Sequence, residues 1–186
     1  MEENTESAIY YIKKSFELKN LKLYKEAVEM LYKALSCEDL PVGKNDEIIA
    51  QIGDLYIFLK NYERAIEQYE KVLDNNPAHL HSMHKLCEIY FILQNYSKAL
   101  EIAQNLCKES QSVENYANYF KVLFKLNIFD EIKDLYKGLD ETLAANDEIM
   151  YIVSKTEPND KFAILEKIIS INPNHLQAKL DLGILC

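Results

Sequence analysis

Glycine and proline are scarce, with four of each in 186 residues. A β-sandwich needs many more of both at its turns, so a loop-rich β fold is excluded. Cysteine is also sparse. Cys37, Cys87, Cys107 and Cys186 lie far apart and form no CxxC pair. They read as reduced thiols rather than a disulfide framework or zinc motif, and the expected compartment is the cytoplasm. No uninterrupted apolar run reaches the ~18 residues of a membrane span. The opening residues MEENTES are polar and acidic, unlike a secretory leader. Basic charge is in deficit, with 21 Lys and Arg against 30 Asp and Glu and a net charge of −9. No basic patch offsets this, so a phosphate backbone is not an expected partner.

What the chain does have is apolar content, 48% by count, beside 27% charged residues. That suffices for a core and is too much for a disordered chain. The segments NYERAIEQYEKVL at 61–73 and NYSKALEIAQNLC at 95–107 are alike. Tyr62 and Tyr96, Ala65 and Ala99, Gly53 and Cys87, and Tyr56 and Tyr90 are each 34 residues apart. LYKEAVEMLYKAL at 23–35 repeats the pattern 38 residues upstream, and IFDEIKDLYKGL at 128–139 repeats it 33 residues downstream. Within each unit, apolar residues recur at i, i+3, i+4 and i+7, the signature of short amphipathic helices. Gly53, Cys87, Ala27, Ala65 and Ala99 are small enough to let neighbouring helices approach, and large residues such as Tyr69 fill the space between. Asn76-Pro77 and Asn172-Pro173 mark stops between units. The four extra residues of the first unit fall in EDLPVGKN.

This pattern resembles the tetratricopeptide repeat family, whose 34-residue helix–turn–helix unit carries small and aromatic residues at these spacings. The best unit, 46–79, has Ile52, Gly53, Tyr56, Ala65, Tyr69 and Pro77 in the family's slots. The unit at 80–112 has Leu86, Cys87, Tyr90, Ala99 and Ala103. The first, 8–45, has Ser15 in the glycine slot. The fourth, 113–141, has Phe120 there, and the fifth, 142–175, matches only at Ile168, Ile169 and Pro173. The resemblance implies an all-α, right-handed α-solenoid of about five helix pairs in a single domain over 1–186. An unpaired eleventh helix is expected over about 174–186. Its apolar tail LDLGILC reads either as the start of a continuing repeat in a longer protein or as a self-association surface.

In this family the first helix of each pair faces the partner. Carried over by register, the expected groove residues are Phe16, Asp54, Phe58, His81, His84, Glu88, Phe91, Lys121 and Phe124, with Ile12, Asn20 and Glu47 beside them. This is a row of phenylalanines among mixed charges, suited to a partner peptide or helix. Some relatives grip acidic chaperone tails with Lys, Asn and Arg. Here those slots hold Ile12, Phe16 and Gln51, so no such clamp is expected. His79, His81, His84 and Cys87 lie close in sequence. However, Cys87 occupies a core slot, away from His84, so no metal site is expected. No GxSxG, HExxH or phosphate-binding glycine loop is present, and no cofactor is implied. The expected function is a non-catalytic protein–protein interaction scaffold. The alternative is a recruiting segment of a larger enzyme or signalling protein.

Overall fold

The computed structural model describes residues 7–183. The described residues fall into two compact units, divided between Ile89 and Tyr90. Every regular element among them is helical.

The first unit contains α1 (Ala8–Asn20), α2 (Tyr24–Leu35), α3 (Asn45–Phe58), α4 (Tyr62–Asn75) and most of α5 (Leu80–Ile92). Local chemistry sets the starts. The Ser7 hydroxyl accepts from the Tyr10 amide, and the Asn61 side chain accepts from the Arg64 amide, satisfying donors that the first helical turn leaves free. α3 opens directly after Lys44 without a side-chain cap, while Asp46 and Glu47 sit in its first turn, where the helix dipole favours negative charge. α1 packs on α2, α2 on α3 and α3 on α4. Ala27, Ala34 and Ala65 are fully buried in these contacts, as expected of the small positions.

The second unit holds α6 (Tyr96–Glu109), α7 (Val113–Lys125), α8 (Phe129–Gly138), α9 (Glu141–Ala144), α10 (Asp147–Ser154), α11 (Lys161–Ile171) and α12 (Leu176–Asp181). α7 packs against α6, α8 and α10, and α10 also meets α11. Asn115 is buried at the start of α7, and its amide nitrogen donates to the Leu106 and Ser110 carbonyls where α6 ends. Twelve helices are described where eleven were expected. The extra one is α9, a single turn nucleated by Asp140, whose carboxylate accepts from the Leu143 amide. The last helix is also shorter than expected, because Gly183 takes a left-handed conformation (φ 72°) just beyond it. Leu176 and Leu180 are about half exposed on α12, and residues 184–186 of the apolar tail lie outside the described residues.

The turns between α1 and α2, α3 and α4, α5 and α6, and α7 and α8 share one device. Lys22, Lys60, Gln94 and Asn127 all have φ between 56° and 62°. Their numbers differ by 38, 34 and 33, the spacings of the repeat itself. After each, an amide reaches back five residues: Leu23 to Leu18, Asn61 to Tyr56, Asn95 to Tyr90 and Ile128 to Leu123, at 2.8–3.0 Å. This is the Schellman closure, in which one left-handed residue lets the chain satisfy the last carbonyls of the helix. Glycine is the usual occupant, because a Cβ in this region costs roughly 1–2 kcal/mol. Lys60→Gly is therefore expected to stabilise the fold by about 0.5–1 kcal/mol in urea denaturation. Asn127→Gly should gain less, since asparagine visits this region more readily. A loss of stability in Lys60→Gly would show that the lysine side chain matters more than its backbone.

Candidate functional site

In the first unit, side chains of α1 and α3, with one from α2, line an open groove of about 610 Å³. Ile12, Lys13, Ser15, Phe16, Glu17 and Lys19 come from α1, Leu31 from α2, and Gln51, Asp54 and Leu55 from α3. Ile12 and Phe16 are one helical turn apart, as are Gln51 and Leu55, so both walls present a row of side chains to the same space. Leu31 and Ser15 are buried and form its floor. Phe16 stands out, 63% exposed, which is unusual for a residue of its size beside an apolar floor.

Phe58 is also half exposed, at 50%. Its ring is stacked on Tyr24 with centroids 4.9 Å apart and planes 11° from parallel. The Lys19 ammonium lies 5.6 Å from the same ring centroid, within cation–π range. One face of Phe58 is thus held by a neighbouring helix, which fixes the ring without hiding it.

Asp54 is the polar centre of the site. The Tyr69 hydroxyl donates to its Oδ1 at 2.6 Å, and His81 Nε2 lies 2.9 Å from Oδ1 and 3.2 Å from Oδ2. Tyr69 is fully buried, and desolvation together with the Asp54 charge holds its phenol far above the ordinary tyrosine pKa, so it stays a proton donor. One carboxylate therefore ties α3 to α4 and α5. The side chains of Asp54 and His81 keep 25% and 46% of their surface accessible, so the cluster also faces outward.

The remaining expected site residues vary in setting. His84 is partly buried, and Glu88 pairs with Lys85 at 2.9 Å. Cys87 is buried, and desolvation followed by the Glu88 charge pushes its thiol up to about 11. His79 is used locally, with Nδ1 2.9 Å from the Ser82 hydroxyl. In the second unit, Phe91 is partly buried, edge-on to Tyr96 at 5.4 Å. Phe124 is partly buried beside Phe129 at 5.7 Å, and Lys121 pairs with Glu148 at 2.6 Å. Sequence reasoning missed Lys13 and Lys19 as groove residues and Tyr69 as the partner of Asp54. The lysines escape an apolar pattern because their stems can lie on an apolar wall while the ammonium stays in water. Tyr69 was read only as packing.

Residues 46–79 match the tetratricopeptide repeat family. Over 116 residues, 59% of this chain, the sequence is 30% identical to the Hsp70/Hsp90 co-chaperone CNS1 of Saccharomyces cerevisiae. The match spans 30% of that protein's length. Among solved structures, YrrB, described as a TPR protein with an unusual peptide-binding site, is similar with a TM-score of 0.75 and 22% identity, covering 99% of this chain and 95% of that one. MamA from AMB-1 gives a TM-score of 0.68 at 16% identity, covering 96% of this chain and 97% of that one. MamA from Desulfovibrio magneticus RS-1 gives 0.71 at 16% identity, covering 90% and 96%. These likenesses show the fold, the all-α solenoid class expected from the repeat. Among the described residues, no helix is long and apolar enough to cross a membrane. The chain thus carries a tetratricopeptide repeat at 46–79 and has the fold of the tetratricopeptide repeat proteins it resembles.

Proposed function

We propose that the protein is a non-catalytic interaction scaffold whose first-unit groove holds a segment of a partner protein. The observation that supports this reading is the exposure of Phe16 in a groove that it shares with Asp54, the carboxylate that His81 contacts, together with the exposure of Phe58 one helical turn beyond Asp54 on α3. Large apolar side chains held on rigid helices offer contact area at little ordering cost, and fixed polar groups beside them set the register of what binds. An apolar side chain of the partner seats between Phe16, Ile12 and Leu55, and its flanking polar groups meet Asp54, His81 and Gln51. By register, Phe91, Lys121 and Phe124 are the second unit's counterparts, and His84 and Glu88 extend the α5 part of the surface.

The test is a selection of displayed peptides on the intact protein, followed by affinity measurement of the winners. Enriched peptides should carry a large apolar residue, and Phe16→Ala should weaken them about tenfold, or ~1.4 kcal/mol. Its thermal melt should hardly move, because a side chain so exposed contributes little to the core. Unchanged affinity would remove Phe16 from the site. The similarity to a co-chaperone makes an acidic chaperone tail the natural competing ligand. Ile12, Phe16 and Gln51 are poor partners for a carboxylate, so the tail should not bind in the micromolar range. Micromolar binding would place its carboxylates on Lys13 and Lys19 and overturn the apolar reading.

A further inference from the structure

A second cleft lies in the second unit, where the repeat departs most from its pattern. α8 has 10 residues, against 14 in each of α4 and α6, and ends at Gly138. A Cβ at Gly138 would meet nothing within 4 Å, so the space beside it is open. The cleft has a volume of about 650 Å³. Tyr116 of α7 and Ile128, Leu135 and Leu139 give it an apolar floor, and Asp130, Glu131 and Asp134 supply the only ionisable lining groups apart from the Tyr116 phenol. Burial is the main cause of that phenol's raised pKa, so Tyr116 is neutral, and three carboxylates face the cleft with no lysine or arginine among its lining residues. Glu131 accepts from the Tyr119 hydroxyl, which itself accepts from Gln104 at 3.0 Å, so its carboxylate is fixed. Lys137 reaches Asp134 only at 3.8 Å, with both side chains about four-fifths exposed, which is a loose pair. Lys133 is turned away to Glu157, at 3.3 Å.

We infer that this cleft is a docking surface for a basic amphipathic helix of a partner protein. Charge complementarity selects the occupant, because lysine or arginine beside Asp130 and Asp134 relieves a local excess of negative charge. The pitch agrees as well. Asp130 and Asp134 are one helical turn apart, so basic residues at i and i+4 of a facing helix meet both while its apolar face covers Leu135 and Leu139. This surface is separate from the α1–α3 groove and does not depend on the function proposed for that groove.

The probe is a fluorescein-labelled model peptide with leucine and lysine at amphipathic helical spacing, titrated into the intact protein and read by anisotropy. Asp130→Asn combined with Asp134→Asn should weaken it about five- to tenfold, and added salt should weaken the wild type. The control is Glu29→Gln with Glu166→Gln, which makes the same change in net charge at exposed helical positions elsewhere. If the control weakens binding as much, attraction to the acidic chain as a whole explains the signal and the inference fails. It fails equally if a leucine–glutamate peptide binds as well, or if Phe16→Ala abolishes binding, which would place the peptide in the other groove. A photo-crosslinking version of the peptide gives a measure independent of any variant's folding. Adducts should map to Tyr116 or residues 128–139, and adducts confined to other segments overturn the assignment.

Discussion

Tyr69→Ala is expected to lower the unfolding free energy by about 3–5 kcal/mol, the range for removing a fully buried aromatic ring. Tyr69 is 0% exposed, and its hydroxyl is one of two groups holding Asp54 in place. The ring also explains Gly53. An added Cβ there would lie 2.8 Å from Cε1 and Cζ of Tyr69, closer than real atoms approach. The ring has nowhere to go, since it is buried all round and tethered at its tip. Alanine in place of a glycine inside a helix ordinarily gains about 1 kcal/mol. Here Gly53→Ala should instead cost about 1–2 kcal/mol after that gain is counted. The double variant Gly53→Ala/Tyr69→Ala should cost clearly less than the two single losses added together, because the clash disappears with the ring. Urea denaturation of the four proteins measures the coupling. Additive losses, or a Gly53→Ala protein more stable than the wild type, would refute the close packing of α3 on α4.

The second large effect concerns the same repeat position in the other unit. Phe120 occupies the slot that holds Gly53 in the best-matching repeat, and it too is fully buried. Phe120→Ala moves the chain toward the repeat pattern and should nonetheless destabilise it by about 3–5 kcal/mol. The counterpart of Tyr69 in this repeat is Tyr136. It is only partly buried, packs against the core cluster of Met150, Leu165, Ile168 and Ala178, and its hydroxyl donates to the Ala144 carbonyl at 3.1 Å, at the end of α9. A large residue in the small slot is thus accompanied by a tyrosine that is less buried than Tyr69 and bonded to the end of α9. Hydrogen exchange should show the loss of protection in α7 and in its neighbours α6, α8 and α10. Protection unchanged across α7, or a variant as stable as wild type, would mean that Phe120 fills its site without supporting it.

Much of the architecture was legible because it rests on short-range pattern. Tyr62 and Ala65, Tyr96 and Ala99 are separated by the repeat length, and the described helices begin at those tyrosines. The turn residues were not legible in the same way. Lys22, Lys60 and Gln94 carry no sign of a left-handed backbone, since the conformation is imposed by the two helices meeting there and not by the side chain. α9 was missed because one helical turn is too short for a period to register.

The candidate site was legible in its positions and much less so in its settings. Register alone placed Phe16, Asp54 and Phe58 on first helices. It could not distinguish a groove phenylalanine 63% exposed at Phe16 from the partly buried Phe91 and Phe124. Nor could it show that a tyrosine read as core would hold Asp54 in place.

The amino-acid order alone determined that this chain is helical, that its helices come in pairs and where those pairs begin, because periodicity and turn chemistry act between residues a few positions apart. Only the tertiary structure decided which aromatic rings face water, which glycine is crowded and which carboxylates stand together. Burial and pairing depend on neighbours tens of residues away, and no local pattern records where those will be.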